Sequence, residues 1–177
     1  MTAQNQQQFT AESWQPMSDF AGRQPAASLL SWLTETGLLT ARMRAQCTND
    51  FRLDVVNDIH TRAGHTDLHR QVILWCDKQP CIYAETCIPM ATVSAHPWLR
   101  ELGDEPLGER LQSQRDVTRS EFVYATVDRD GLPEKIATYG AAELWARRSD
   151  FYIGEDTLTV TEIFLPGVIH CGSNSIE

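Results

Sequence analysis

The chain has 177 residues, of which 42% are hydrophobic and 22% are charged, and its formal net charge at pH 7 is −9. This length and composition predict one soluble globular domain with its own core. The negative charge argues against a general nucleic-acid binder or a protein of anionic membrane surfaces, since both need a basic face. No apolar run approaches the roughly 20 residues that span a bilayer, so we predict no integral membrane segment.

The start of the chain is polar and rich in glutamine. It lacks a basic segment followed by an apolar core, so it does not resemble a signal peptide, and we expect a cytoplasmic protein. We predict that residues 1–22 form a mobile N-terminal arm, which docks in part through Phe9, Trp14 and Phe20.

Short helices are predicted in two places. The first pair spans about residues 25–46 and turns at Gly37, with Thr40 as the N-cap of its second helix. The second pair spans about residues 95–111 and turns at Gly103. Each pair would form a helical hairpin.

Alternation of apolar and polar residues predicts about six strands. They cover approximately residues 50–58, 68–76, 81–88, 121–127, 144–153 and 158–166. Short turns join most of them, and the helices are bunched rather than placed between successive strands. This order predicts an α+β fold with a largely antiparallel sheet.

Cysteines and histidines form no recognisable metal motif. The five cysteines make an odd number without a C-x-x-C pair, and in a reducing compartment we expect free thiols, mostly buried. Cys76, Cys81 and Cys87 fit none of the usual zinc spacings. His65 and His69 have helical spacing but lie at a predicted loop-to-strand junction, where that spacing does not gather ligands. We therefore predict no metal site.

Two charged residues lie on otherwise apolar strand faces. Arg70 does so in the strand 68–76, and Glu162 does so in the strand 158–166. An unpaired charge there would be costly, so each needs a partner. One interpretation is a structural ion pair between the two. The other, which we favour, is that both flank one cavity, where Arg70 binds a carboxylate and Glu162 contacts a hydroxyl or a moving proton.

Leucines and arginines elsewhere are further candidates. Leu39 and Leu107 each follow a turn marked by a glycine. They are either ordinary core leucines or parts of lids that close over a flat ligand and exclude water. Arg147 and Arg148 are adjacent, so a strand would direct them to opposite faces, and one of them is a candidate second anion-binding group.

Four stretches resemble bacterial chorismate lyase (chorismate pyruvate-lyase) and occur in the same order. They are Leu68-x-Arg70-x-Val72-x-Leu74, Leu102-Gly103-x-x-Pro106-Leu107-Gly108, Trp145-Ala146-Arg147-Arg148-Ser149 and Leu158-x-x-Thr161-Glu162-x-Phe164-Leu165-Pro166. The resemblance extends from about Leu29 to Pro166. The N-terminal arm and the tail after Pro166 have no counterpart that we can place.

The resemblance implies that residues 23–177 form a catalytic domain, in which helices lie on one side of a six-stranded antiparallel sheet. The two helical hairpins would be flaps over an internal ligand site. The implied reaction is cleavage of chorismate to 4-hydroxybenzoate and pyruvate without a cofactor, the first step of ubiquinone biosynthesis. Arg70 would bind the ring carboxylate and Glu162 the 4-hydroxyl end, with Leu39 and Leu107 as flap residues that contact substrate and product.

Several expectations follow for partners and chemistry. We expect a monomer that binds small molecules, chorismate and 4-hydroxybenzoate, and no nucleic acid. The hydrogen lost from the ring would pass either to Glu162 or to the enol methylene of the substrate itself. Two alternatives are a non-catalytic effector-binding domain of the same fold and a chorismate-using enzyme that makes another hydroxybenzoate.

Overall fold

A computed structural model of the chain describes residues 14–20, 22–61, 67–139 and 141–171. Phe9 of the predicted arm and His65 of the histidine set lie outside these residues. The described end of the arm docks on the sheet as predicted, because Phe20 is buried with its ring centroid 4.8 Å from that of Trp145.

The strands form one antiparallel sheet. In chain order they are β1 (Phe51–Thr61), β2 (Leu68–Cys76), β3 (Gln79–Ile88), β4 (Val117–Arg119), β5 (Val123–Asp128), β6 (Glu143–Ile153) and β7 (Asp156–Phe164). Their order across the sheet is β1-β2-β3-β7-β6-β4, and β5 also pairs with β6. The α+β class and the antiparallel pairing are confirmed. The sheet formed by the described residues has seven strands rather than about six, because β4 is too short to show an alternating pattern.

Among the described residues, five short α-helices accompany the sheet. They are α1 (Ala27–Leu33), α2 (Leu39–Gln46), α3 (Met90–Ala95), α4 (Leu107–Gln112) and α5 (Glu134–Ala137). In the same part of the chain, 3₁₀ turns cover Met17–Asp19, Pro97–Arg100, Arg129–Gly131 and Pro166–His170. Among the described helices, none is long and apolar enough to cross a membrane.

The predicted helix starts differ from the observed ones. Helix α3 begins directly after Pro89, earlier than the predicted start near residue 95. A 3₁₀ turn then lies between α3 and α4. Thr40 lies inside α2, whose N-cap is Leu38, so the capping prediction was wrong. The Thr40 hydroxyl donates instead to Oε1 of Glu109 in α4, at 3.0 Å. This hydrogen bond to another helix takes the place of the predicted N-cap bond to the backbone of α2.

Strand register places the candidate residues on one face of the sheet. Ala84 of β3 is paired with Glu162 of β7, which is paired in turn with Arg147 of β6. Arg70 belongs to the neighbouring row of the same face, because its partner Thr86 lies two residues from Ala84. The side chain of Arg148 points to the opposite face.

Apolar clusters flank these two polar rows. On one side, Leu33 and Met43 of the first hairpin pack against Leu74 and Phe164. On the other side, residues of the second hairpin region pack against the opposite ends of β2, β3 and β7, and these are Leu99, Leu102, Leu107 and Leu111. Each hairpin is thus anchored by its own part of the core. The short α5 packs on the opposite face of the sheet through Ile136.

The cysteines are not all free. Cys47, which follows α2, is bonded by a disulfide to Cys76 at the end of β2. The prediction of five free thiols was therefore wrong, while Cys81, Cys87 and Cys171 take part in no disulfide. The two bonded residues are 29 positions apart, and only the packing of α2 beside β2 brings them together.

This disulfide predicts the outcome of a thiol titration. Protein denatured without reductant should show three reactive thiols. Cys47→Ser should add one, because it releases Cys76, whereas the matched control Cys87→Ser should remove one. Five thiols in the unreduced wild type would contradict the bond. Loss of the bond should also lower the free energy of unfolding by about 3 kcal/mol through the larger entropy of the unfolded chain.

Candidate active site

A cavity lies on this sheet face, beneath the starts of α2 and α4. The volume within which the centre of a water molecule fits is about 90 Å³. One bound water needs only about 10–15 Å³ by the same measure. Leu39, Arg70, Leu107 and Glu162 all line it. The structure thus brings together the four residues selected from the sequence. Ala84 contributes a small side chain to the floor.

Arg70 connects the floor to the second hairpin. Its side chain projects from β2 and is only 2% exposed. Nη2 donates hydrogen bonds to the backbone oxygens of Gly103 (2.7 Å) and Glu105 (3.2 Å). These residues lie in the loop just before α4, which carries Leu107. Arg70 therefore holds this loop over the cavity.

Glu162 is paired with arginines other than Arg70. Its Oε2 accepts a hydrogen bond of 2.5 Å from Nε of Arg147 and lies 3.6 Å from Nη2 of Arg119. The interpretation of Arg70 and Glu162 as a direct ion pair was therefore wrong. Arg147 is the cross-strand neighbour of Glu162, whereas β2 is two strands from β7, about 10 Å away. Arg70 and Glu162 line one cavity from separate strands.

Arg147 connects the floor to the first hairpin. Its side chain is completely buried. Nη1 donates to the backbone oxygens of Leu33 (3.0 Å) and Glu35 (2.6 Å), which lie at the end of α1 and just after it. Of the two adjacent arginines, Arg147 is the one in the cavity wall. Arg148 donates instead to Thr161 on the other face, at 3.2 Å.

Arg119 also lines the cavity, although no sequence pattern predicted it. Its Nε donates to Oγ of Ser149 (2.8 Å), and its guanidinium lies over the rings of Phe122 and Phe151 at 4.2 and 4.7 Å. Burial lowers the pKa of Arg119 to about 10, and the charge of Glu162 opposes part of this shift. Since β4 has three residues, no periodic pattern could have directed attention to this side chain.

The two hairpins meet above the cavity. Glu109 of α4 accepts the hydrogen bond from Thr40 and forms an ion pair with Arg44, both in α2. Nearby, a Cβ added to Gly108 would lie 2.9 Å from Cδ2 of Leu38. This close approach and the polar bridge close the roof. A second cavity, of about 320 Å³, adjoins the first beside Arg119.

His69, for which no metal site was predicted, contacts an acidic residue. Nδ1 of His69 lies 3.2 Å from Oε1 of Glu85, and both side chains are buried. Neighbouring positions on a strand face opposite ways, so this pair lies on the other side of the sheet from Arg70. Within the described ranges, no group of three or more metal-ligating side chains is present.

Comparison with known proteins identifies the family. The profile of a protein family described as chorismate lyase matches residues 9–172. The chain belongs to the chorismate lyase family. Curated relatives are described as "Probable chorismate pyruvate-lyase". One from Pseudoalteromonas atlantica is 33% identical over 80% of this chain and 81% of its own length. One from Ralstonia nicotianae is 33% identical over 86% of this chain and 91% of its own length.

Two solved structures show a distant likeness. A possible transcriptional regulator, YydK from Bacillus subtilis, has a TM-score of 0.47 and 12% identity, over 66% of this chain and 58% of its own. The C-terminal domain of a histidine utilization repressor from Pseudomonas syringae has a TM-score of 0.46 and 12% identity, over 68% and 94%. Neither likeness bears on the function of this member of the chorismate lyase family.

The chorismate lyase match is longer than the resemblance seen in the sequence. It begins at residue 9 and ends at residue 172, whereas the motifs supported only the region from Leu29 to Pro166. The match therefore takes in part of the N-terminal segment and part of the tail, which carry no recognisable motif of their own.

The contacts of Arg147 predict a large effect on stability. Arg147→Met would leave the carboxylate of Glu162 without its closest partner, and two backbone oxygens of the first hairpin without donors. We expect the free energy of unfolding, measured by urea denaturation, to fall by roughly 3–5 kcal/mol. The matched control is Arg148→Met, for which we expect about 1 kcal/mol or less. Similar losses in the two variants would contradict the anchoring role.

Proposed function

We propose that this protein is a chorismate pyruvate-lyase, which converts chorismate to 4-hydroxybenzoate and pyruvate in the first step of ubiquinone biosynthesis. Membership of the chorismate lyase family and the descriptions of its relatives support this activity. The structural observation that carries the proposal is the convergence of Arg70 and Glu162 on one roofed cavity. A buried cation and a largely buried carboxylate on separate strands suit a ligand with a carboxylate at one end and a hydroxyl at the other.

The reaction needs little from the protein beyond binding and charge stabilisation. The bond between ring carbon C3 and the ether oxygen breaks, a hydrogen leaves C4, and the ring becomes aromatic. The released enolpyruvate gains a proton at its methylene carbon and becomes pyruvate. Electrons and atoms balance without an oxidant, so we propose a reaction without a metal or cofactor. A fixed geometry, neutralised charges and a dry site are the remaining requirements.

Arg70 is proposed to bind the ring carboxylate. A guanidinium matches a carboxylate in bidentate geometry, and a buried site strengthens such a pair. The same guanidinium holds the loop before α4 through the backbone oxygens of Gly103 and Glu105. Binding of the carboxylate and closure of the second hairpin are therefore coupled through one side chain.

Glu162 is proposed to act at the 4-hydroxyl end. Both of its arginine contacts are made by Oε2. Among the described residues, no hydrogen-bond donor meets the other oxygen, Oε1, which supports its use for a ligand. Oε1 would accept the hydrogen bond of the hydroxyl, and it is one of two candidates to take the hydrogen from C4. The other candidate is the enol methylene of the substrate.

Leu39 and Leu107 are proposed to contact the faces of the bound ring. They stand at the first positions of α2 and α4, and both are buried, at 5% and 8% exposure. Their apolar side chains would exclude water, which strengthens the charge interactions inside the cavity. Ala84 beneath them leaves room for a flat ligand.

We also propose that the protein acts as a cytoplasmic monomer on small molecules, without a nucleic-acid partner. The family supports a small-molecule substrate, and the net charge of −9 opposes contact with nucleic acid. Analytical ultracentrifugation measures the mass in solution, and a dimer at micromolar concentration would contradict the proposed monomer.

A direct assay tests the function. Purified protein is incubated with chorismate, pyruvate is measured by coupled oxidation of NADH with lactate dehydrogenase, and the aromatic product is identified by mass spectrometry after chromatography. We expect pyruvate and 4-hydroxybenzoate in equal amounts. Absence of pyruvate would leave only a non-catalytic binding domain, and 3-hydroxybenzoate as the product would overturn the proposed reaction.

The two ends of the cavity predict different kinetic losses. Arg70→Ala should lower kcat/KM by about 100-fold or more, because it removes the partner of a buried carboxylate. Glu162→Gln keeps the shape of the side chain but removes its charge, and it should lower kcat more than it changes KM. Arg148→Ala, on the other face of the sheet, is the control and should retain wild-type kinetics. Full activity of Glu162→Gln would exclude Glu162 as the base.

The bridge between the hairpins predicts an effect on product release. Glu109→Ala removes the hydrogen bond to Thr40 and the ion pair to Arg44, so the roof should open more readily. We expect 4-hydroxybenzoate to dissociate about two- to tenfold faster in stopped-flow measurements. The exposed Glu101→Ala is the control. An unchanged dissociation rate in Glu109→Ala would show that this bridge does not govern release.

A further inference from the structure

We propose that Arg119 and Arg147 form a second carboxylate-binding group, which holds the carboxylate of the enolpyruvyl substituent of the substrate. This inference rests on the proposed function and extends it. Arg70 would bind one carboxylate of a dianion, and the arginine pair beside Glu162 would bind the other. The site would then select dianions that carry their second carboxylate next to the hydroxyl.

The charge of the cavity wall supports this assignment. Among the described residues that line the cavity, the charged ones are Arg70, Arg119, Arg147 and Glu162. Three cations and one anion leave a formal charge of +2 in a chain whose net charge is −9. Buried charge of one sign is costly unless a partner neutralises it. A dianion neutralises this excess, whereas the carboxylate of 4-hydroxybenzoate neutralises only half of it.

Arg147 carries a donor that the described residues do not use. Its Nε is bonded to Glu162, and its Nη1 is bonded to the first hairpin. Its Nη2 is buried and has no hydrogen-bond partner within the described part of the chain. The side chain is fully buried and lines the cavity. A ligand oxygen is a natural partner for this nitrogen, because orphaned buried donors are rare in native proteins.

Arg119 also keeps donors available for a ligand. One hydrogen bond, from Nε to Ser149, is its only one among the described residues. Its Nη2 lies 3.6 Å from Glu162, which is an ion-pair distance but longer than a hydrogen bond. The rings of Phe122 and Phe151 cover its guanidinium and help to desolvate it. A carboxylate in front of this cation would restore the interactions that burial has removed.

The position of the pair agrees with the connectivity of the substrate. In chorismate the enolpyruvyl ether is on C3, next to the hydroxyl on C4. In the protein both arginines contact Glu162, the residue proposed to bind that hydroxyl. Adjacent groups of the ligand would therefore meet adjacent groups of the wall. When the bond from C3 to oxygen breaks, negative charge develops on the departing enolpyruvate, and a fixed guanidinium beside it would stabilise that charge.

A pair of stable ligands tests this inference without turnover. The monoanion is 4-hydroxybenzoate, and the dianion is 3-(carboxymethoxy)-4-hydroxybenzoate, which carries its second carboxylate through an ether next to the hydroxyl. Their Kd values are measured by isothermal titration calorimetry for the wild type, for Arg119→Gln and for the exposed control Arg115→Gln. We expect Arg119→Gln to weaken the dianion by tenfold or more and the monoanion by less than threefold. Arg115→Gln should change neither.

Two outcomes would contradict the inference. Equal weakening of both ligands would mean that Arg119 acts through Glu162 or through the fold, and no weakening of the dianion would remove it from the site. The test uses a variant of Arg119 rather than of Arg147, because Arg147→Met is expected to lower the stability of the fold. With chorismate, Arg119→Gln should raise KM at least tenfold. If the wild type released no pyruvate but showed the expected pattern of Kd values, the proposed lyase activity would be wrong, and the second carboxylate-binding group would still be supported.

Discussion

The ion pair between Arg147 and Glu162 is the interaction on which the arrangement of the site depends. It joins two neighbouring strands at 2.5 Å, with the arginine completely buried. Through Nη1 the same guanidinium fixes the end of α1 in the first hairpin. The pair therefore sets both the orientation of a carboxylate in the floor and the position of part of the roof. Removing either charge would leave the other one without its main partner in a largely desolvated position.

The two hairpins are attached to the sheet by the same device. Arg147 binds backbone oxygens beside α1, and Arg70 binds backbone oxygens in the loop before α4. In both cases an arginine side chain of the sheet donates hydrogen bonds to main-chain oxygens of a hairpin that covers the cavity. The contact of Glu109 with α2 then joins the two roof elements to each other. Closure of the cavity thus follows from three polar connections placed around apolar packing.

Much of this architecture could be predicted from the sequence, and the exceptions have physical reasons. Arg70 and Glu162 were recognisable because a charge on an apolar strand face needs a partner. Glu162 pairs with Arg147 because β6 lies beside β7. The alternation of residues within a strand does not reveal the order of strands in the sheet. Arg119 lies in a strand of three residues, too short for any pattern. The Cys47–Cys76 bond likewise depends on how a helix packs against the sheet.

Attachment of the roof through main-chain oxygens has a consequence for how such a site can diversify. The arginines donate hydrogen bonds to backbone carbonyl oxygens, which every amino acid provides. Side chains of the hairpins can therefore be exchanged without loss of these hydrogen bonds. Leu39 and Leu107 are then free to vary in size and shape. Altered selectivity toward substituents on an aromatic acid is accessible through these positions, while the tethering below stays intact.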